Sequence, residues 1–169
     1  MVQEFRRSNE ILIRQANEED IPNLLKSFGD KDSPFTKENY LRYISTTDWS
    51  KEKSLRLFVL VLENEIIGQM MAMNITPRYL ECDNSIPNLY LSGIRVIVSE
   101  MKKGFATEAL QFLKQEALNQ NIHLVRLECD GKKEWLVNWY IRNGFQIVPY
   151  TGDNEDFKAT GQVIMECQL

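Results

Sequence analysis

The sequence predicts an α/β or α+β domain, with one sheet carrying helices on its faces. Three observations point there. Apolar runs and helical-period runs follow one another in the order β-α-α-β-β-β-α-β-α-β-β. The stretch from Ser54 to Thr76 reads as two strong strands around a short turn, "ENE". The stretch from Leu89 to Cys129 reads as strand, long helix, strand, a unit expected to be a right-handed parallel crossover.

Each element has its own signal. "ILIRQA" (Ile11 to Ala16) is a first strand. "NEEDIPNLLKSF" starts a helix at Asn17 or Glu18, with an acidic first turn and an apolar stripe of Leu24, Leu25 and Phe28. Gly29 to Phe35 is a loop by its Gly, Asp, Ser and Pro content. "TKENYLRYIS" has no capping box but places Tyr40, Leu41 and Ile44 at helical spacing. Ser54 to Glu63 and Ile66 to Thr76 form the hairpin. "PRYLECDNSIPN" is a long loop with two prolines, the kind that often carries function. Leu89 to Val98 is a strand interrupted by Gly93, which suggests a bulge or a close backbone approach.

Gly104 to Gln120 is the clearest helix, with Ala106, Ala109, Leu110, Leu113 and Ala117 on one face. Ile122 to Cys129 is a strand. "KKEWLVNWYIRN" is a short helix on which Leu136, Trp139, Tyr140 and Asn143 share a face, closed by Gly144. "FQIVPY" and "QVIMECQL" are closing strands joined by a polar loop, "TGDNEDFKATG". No repeat, low-complexity tract or linker divides the 169 residues, so a single domain over 1–169 is expected.

Composition excludes several function classes. Hydrophobic residues at 43% and charged residues at 26% describe a globular chain. A net charge of −4 argues against nucleic-acid binding by phosphate neutralisation. No apolar run is long enough to span a membrane, and the opening "MVQEFRRSNE" has no apolar signal core, so a cytoplasmic location is expected. Cys82, Cys129 and Cys167 are widely spaced, and His123 is the sole histidine, so neither a metal site nor a histidine-based triad is expected.

"VSEMKKGFATEAL" (Val98 to Leu110) places two lysines and a glycine between a strand and a helix. A helix start exposes unpaired N–H groups at the positive end of its dipole. Gly104 lets the backbone form a nest, Lys102 and Lys103 add charge, and Thr107 adds a hydroxyl. Together these residues would hold a pyrophosphate. A solvated helix start accounts for the same stretch equally well.

This stretch resembles the GNAT N-acetyltransferase superfamily. The family pattern Q/R-x-x-G-x-G/A reads here Met101-Lys102-Lys103-Gly104-Phe105-Ala106, and "WYIRNGF" (Trp139 to Phe145) matches the family's Y-x-x-x-G-F ending. The resemblance runs from Ile11 to Tyr150 and is most specific between Ile94 and Phe145. It implies a mixed, mostly antiparallel twisted sheet of about seven strands, splayed between two central parallel strands and flanked by about four helices. It also implies acetyl-CoA as cosubstrate and no metal. The backbone of Ile94, Arg95 and Val96 would pair with the pantetheine arm, and Lys102, Lys103, Gly104, Phe105, Ala106 and Thr107 would cradle the pyrophosphate.

By the same resemblance Tyr140 is the general acid and Glu128 the general base, with a backbone N–H near Val96 as oxyanion donor. Read by its residues alone, Tyr140 is also a core-filling tyrosine and Glu128 also a surface partner of a lysine or arginine. Cys129 is expected to be a buried, inert thiol. Two positions depart from the family: Met101 stands where Gln or Arg is usual, and Lys133 stands where the family has Asn seven residues before the tyrosine.

The acceptor is expected between the first two helices and the long loop, among Phe35, Tyr40, Tyr43, Trp49, Tyr79 and Tyr90. The acidic residues Asp30, Asp32, Asp48, Glu81 and Asp83 favour a cationic amine, on a small molecule or a peptide. Glu81, Asp83 and Glu100 are further carboxylates near this expected site. No nucleic acid or membrane partner is expected, and the terminal strands allow a homodimer. A non-catalytic acyl-CoA-binding or regulatory module on the same fold is the competing reading. A nucleotide-phosphate binder ranks last, because no Walker or Rossmann glycine pattern is present.

Overall fold

The computed structural model describes residues 4–7, 11–30, 33–45 and 55–169, with residues 4–7 as backbone only. Two compact units emerge, one of residues 1–72 and 93–113 and the other of residues 73–92 and 114–169. All three division points fall inside regular elements.

The first unit contains β1 (Glu4–Arg7), β2 (Leu12–Gln15), α1 (Ile21–Phe28), α2 (Lys37–Ser45), β3 (Leu55–Leu62), β4 (Glu65–Met73, all but its last residue) and the second half of β5 (Leu89–Val96). Its strand order is β1-β2-β3-β4-β5. A one-turn helix over Glu18–Asp20 precedes α1. There the Asn17 side chain accepts from the Glu19 amide at 3.0 Å, as a cap should. Asp20, 6% exposed, is held by both Arg14 guanidinium nitrogens at 2.7 Å, so this buried charge is fully paired. The expected turn between β3 and β4 places Glu63 and Asn64 at φ of 49° and 69°, the left-handed pair that a two-residue hairpin turn needs.

The core of this unit gathers Leu24, Phe35, Tyr40, Leu57 and Val59, with Leu25, Phe28 and Ile44 packed against it. Leu41 departs from its expected place on that face and is 36% exposed. A helix turns roughly 100° per residue, so a fully buried Tyr40 carries its neighbour out of the stripe. α3 (Phe105–Asn119) begins in this unit and buries Ala109, Leu110, Phe112 and Leu113.

The second unit contains the first half of β5, the end of α3, β6 (Leu124–Asp130), α4 (Glu134–Arg142), β7 (Gln146–Val148), α5 (Glu155–Thr160) and β8 (Gln162–Gln168). Its strand order is β5-β6-β8-β7. β6 runs parallel to β5 and antiparallel to β8. The parallel ladder covers Leu89–Leu91 against Val125–Leu127, although β5 continues to Val96 and β6 to Asp130.

Among the described residues there are eight strands and five α-helices, one more of each than expected. The extra strand is β1. The extra helix is α5, inside what reads from sequence as a polar loop. Asn154 caps it by accepting from the Phe157 amide at 3.1 Å, and Gly161 follows at φ +74°. The stretch therefore carries an ordinary helix signature, with an N-cap, an acidic first turn, Lys158 and a closing glycine. β5 ends two residues early, at Val96, because Val98–Glu100 turn into a short helix.

Candidate active site

Two groups of residues carry the chemistry, and each lies within one unit. In the first unit, the Ile97 amide donates to the Ile67 carbonyl at 2.8 Å, so that edge of the strand is occupied by β4. Peptide groups alternate in direction along a strand, which turns those of Ile94 and Val96 to the other edge. Both residues are half-buried, and a Cβ at Gly93 would meet nothing within 4 Å. The close approach expected at Gly93 falls instead at Gly68, where a Cβ would lie 2.9 Å from the Arg95 carbonyl oxygen. Gly68 lets β4 close on β5 and leaves the space beside Gly93 open.

The turn that follows has a left-handed Lys102 (φ +63°) and Gly104 (φ +89°). A non-glycine residue there costs roughly 1–2 kcal/mol, and such strain concentrates at ligand clamps. The first backbone bond of α3 runs from the Glu108 amide to the Gly104 carbonyl at 3.0 Å, so the amides of Phe105 and Ala106 precede it. The space a Gly104 side chain would fill is empty to 4 Å. Phe105 buries its ring, Ala106 and Thr107 are half-buried, and Lys102 is exposed. Lys103 forms an ion pair with Glu100 at 2.9 Å, so part of the turn's positive charge is already balanced. Met101 is 52% exposed and brings no donor from its side chain.

In the second unit, the Glu128 Oε1 accepts from two phenols, Tyr79 and, at 3.0 Å, Tyr90. Among the described residues Oε2 has no such partner. Burial, reinforced by the hydrogen bond to Glu128, pushes the Tyr79 hydroxyl up to about 12. Burial, then Tyr79 and the Glu128 charge, drive Tyr90 further up. Among the described residues Glu128 is thus a partner of tyrosines, not of a lysine or arginine. Its strand neighbour Arg126 is 4% exposed and bonds Glu166 at 2.8 Å and the Thr76 hydroxyl at 2.8 Å. Glu128 and Tyr79 line a pocket of about 460 Å³ with Asn154, Asp156 and Phe157.

Tyr140 lies on the buried face of α4, packed edge-on against Trp139 and Phe145 at centroid distances of 4.8 and 5.5 Å. Among the described residues its hydroxyl has no hydrogen-bond partner. Burial, with a smaller contribution from Cys129, pushes that hydroxyl up, so it stays protonated through neutral pH. Burial also raises the Cys129 thiol, as expected of an inert cysteine. Lys133 is exposed at the start of α4, and its carbonyl accepts the amides of Leu136 and Val137 at 2.9 and 3.1 Å.

The acidic residues expected around the acceptor are divided between the two units, Asp30 in the first and Glu81 and Asp83 in the second. Asp32, Asp48 and Trp49 lie outside the described residues. The Glu81 carboxylate accepts from the Tyr150 hydroxyl at 2.7 Å and from the Asp153 and Asn154 amides at 2.6 and 3.2 Å, and Tyr150 holds its carboxyl below the usual range. Asp83 bonds the Ser85 amide at 2.8 Å. Both carboxylates are spent on the chain's own loops. Sequence reading missed two contributions: the pairing of Tyr79 and Tyr90 with Glu128, and the α5 wall of the pocket. Only the helix signature of α5 was available locally.

A parallel strand pair, a glycine turn and the helix it opens are the features on which the resemblance to an acetyltransferase family rests. The model of the acetyltransferase (GNAT) family matches residues 19–145, and the chain belongs to that family. No curated protein matches the sequence. Solved structures share the fold at low identity. The PaiA N-acetyltransferase of Thermoplasma acidophilum, in complex with coenzyme A, is 16% identical, with a TM-score of 0.70 over 95% of this chain and 99% of that one. A GNAT-family acetyltransferase of Listeria monocytogenes is 17% identical, with a TM-score of 0.72 over 99% and 100%. The ribosomal-protein-alanine N-acetyltransferase of Brucella melitensis is 17% identical, with a TM-score of 0.69 over 94% and 99%.

Proposed function

We propose that the chain is an acetyl-CoA-dependent N-acetyltransferase, a single functional domain that moves an acetyl group to a primary amine by direct attack in a ternary complex. The observation that carries this reading is the turn from Met101 to Ala106. A left-handed lysine, an open left-handed glycine and the leading amides of a 15-residue helix fit a pyrophosphate. The PaiA structure with coenzyme A supports it. Acetyl-CoA supplies a thioester, an acyl group already activated for transfer.

The chain's residues then have distinct tasks. Lys102 to Thr107 bind the diphosphate through backbone amides and positive charge. The peptide groups of Ile94 and Val96 align the pantetheine arm, and the Val96 amide serves as oxyanion donor. Glu128 receives the amine's proton as the N–C bond forms, directly or through water, on the oxygen that the tyrosines leave free. Tyr140 gives a proton to the sulfur as the C–S bond breaks. Its raised pKa keeps the hydroxyl a donor throughout the working range, and positioning supplies most of the remaining acceleration.

The acceptor is an amine of a small molecule or peptide. The ribosomal-protein-alanine enzyme among the structural neighbours favours a peptide or amino-acid α-amine over a polyamine. The expected location is cytoplasmic, and no helix among the described residues is long and apolar enough to cross a membrane. Release of free coenzyme A thiol across an amine panel tests the reading. Turnover with at least one amine is expected. Tight coenzyme A binding with no turnover for any acceptor would establish the non-catalytic binding module instead, which the departures at Met101 and Lys133 favour.

A further inference from the structure

Two side chains of the first unit, Arg95 and Gln69, carry donors with no protein acceptor among the described residues. The Arg95 guanidinium lies over the Phe35 ring, 4.6 Å from its centroid, and is exposed. Among the described residues it has no carboxylate partner and no hydrogen bond. Its charge reaches Tyr40, whose hydroxyl burial pushes up to about 12. That hydroxyl donates to the Gln69 Oε1 at 2.8 Å. Gln69 is 2% exposed, and its Nε2 is buried without a partner.

A buried amide nitrogen left unpaired is costly and rare in native proteins. An arginine stacked on an aromatic face keeps its rim of N–H donors in a fixed plane, the geometry that matches a carboxylate. Arg95 also sits between Ile94 and Val96, the two residues whose peptide groups turn to the open edge. Among the described residues no ion pair involves Arg95; the groups placed against it are the Phe35 ring and Tyr40. The carboxylates expected to make the acceptor site acidic, Glu81 and Asp83, are occupied elsewhere.

We infer that Arg95 is a specificity-determining residue that pairs with a carboxylate on the acceptor, so that the amine substrate is zwitterionic rather than purely cationic. The carboxylate belongs either to an amino acid's own α-carboxyl group or to an acidic side chain of a short peptide. This inference rests on the N-acetyltransferase reading for its location on the acceptor side, but its binding test does not depend on turnover.

The kinetic arm compares alanine with alaninamide, and Ala-Asp amide with Ala-Asn amide. One member of one pair is expected to show a kcat/KM about 10–100-fold above its uncharged counterpart, and which pair does so identifies the carboxylate's source. Arg95→Gln is expected to erase that ratio, and Arg95→Lys to restore part of it. The binding arm titrates the acetylated products, N-acetylalanine against N-acetylalaninamide and the corresponding acetylated dipeptide amides, into protein with and without coenzyme A. A charged product is expected to bind at least about tenfold tighter in the wild type and equally in Arg95→Gln. Coenzyme A affinity is measured in parallel to detect any effect through the strand backbone. Turnover or binding that ignores the carboxylate in both pairs overturns the inference and leaves the transferase reading intact. Arg95-dependent product binding with no turnover for any amine supports the carboxylate site and removes the transferase reading.

Discussion

The turn at Met101–Ala106 and the cluster around Glu128 are built in opposite ways. The turn is contiguous and made of backbone: two left-handed residues and the leading amides of α3. The cluster is made of side chains, with Tyr79 and Tyr90 reaching Glu128 across 49 and 38 residues of sequence. A backbone site tolerates many side chains but depends on the conformation of one or two residues. A side-chain site depends on several tyrosines and carboxylates at once, and losing one of them weakens it by degrees. The first kind shows in a motif, and the second needs the fold.

The sharpest way to break this contrast is Gly104→Glu. It puts a bulky anion at φ +89°, in open space that the proposed function gives to a diphosphate. Coenzyme A affinity measured by calorimetry is expected to fall by about 100-fold or more. Ordinary affinity in that variant would place the nest elsewhere. Tyr140→Phe comes next. Turnover is expected to drop about 100-fold with coenzyme A affinity nearly unchanged, because the variant removes only the donor that the proposed function assigns to the departing sulfur. Unchanged turnover would leave Tyr140 as a packing residue between Trp139 and Phe145.

Tyr79→Phe should act more mildly, about threefold to tenfold on kcat, since Tyr90 still holds Glu128. A loss as large as that of Tyr140→Phe would mean that Tyr79 itself meets the substrate. The smallest effect is on stability at high pH. Tyr40 and Tyr79 are raised from 10.0 to about 12, so the folded state holds protons that the unfolded chain releases. Their contribution is intact below pH 10 and declines as the pH rises through about 12. Denaturant midpoints across that window should fall, with phenol ionisation followed by ultraviolet absorbance. Midpoints that stay flat to pH 12 would remove the burial argument for both rings.

Most of the fold was legible because period and punctuation are local. The β3–β4 hairpin, α3 and the helix ending at Gly144 (φ +89°) follow directly from them. α5 was legible too, but its cap and closing glycine sit in a polar segment that looks like loop by composition. Gly93 reads from sequence as the close approach, whereas Gly68 is the residue that a side chain would crowd. Strand glycines look alike until the neighbouring strand is in place. Arg126 and Glu128 share one face of β6, yet Arg126 is buried with Glu166 and Thr76 while Glu128 opens to a pocket. Alternation assigns the side of a sheet, not what covers it.

By itself the sequence determined the order of elements from β2 onward apart from α5, the glycine turn before α3 and the tyrosine before Gly144, since each depends on spacing within a few residues. Only the tertiary structure decided that Glu128 is held by two phenols, that Glu81 fastens its own loop, and that Arg95 and Gln69 keep donors without a protein acceptor among the described residues. Those are contacts between side chains far apart along the chain, and their partners are chosen by how the strands and helices pack.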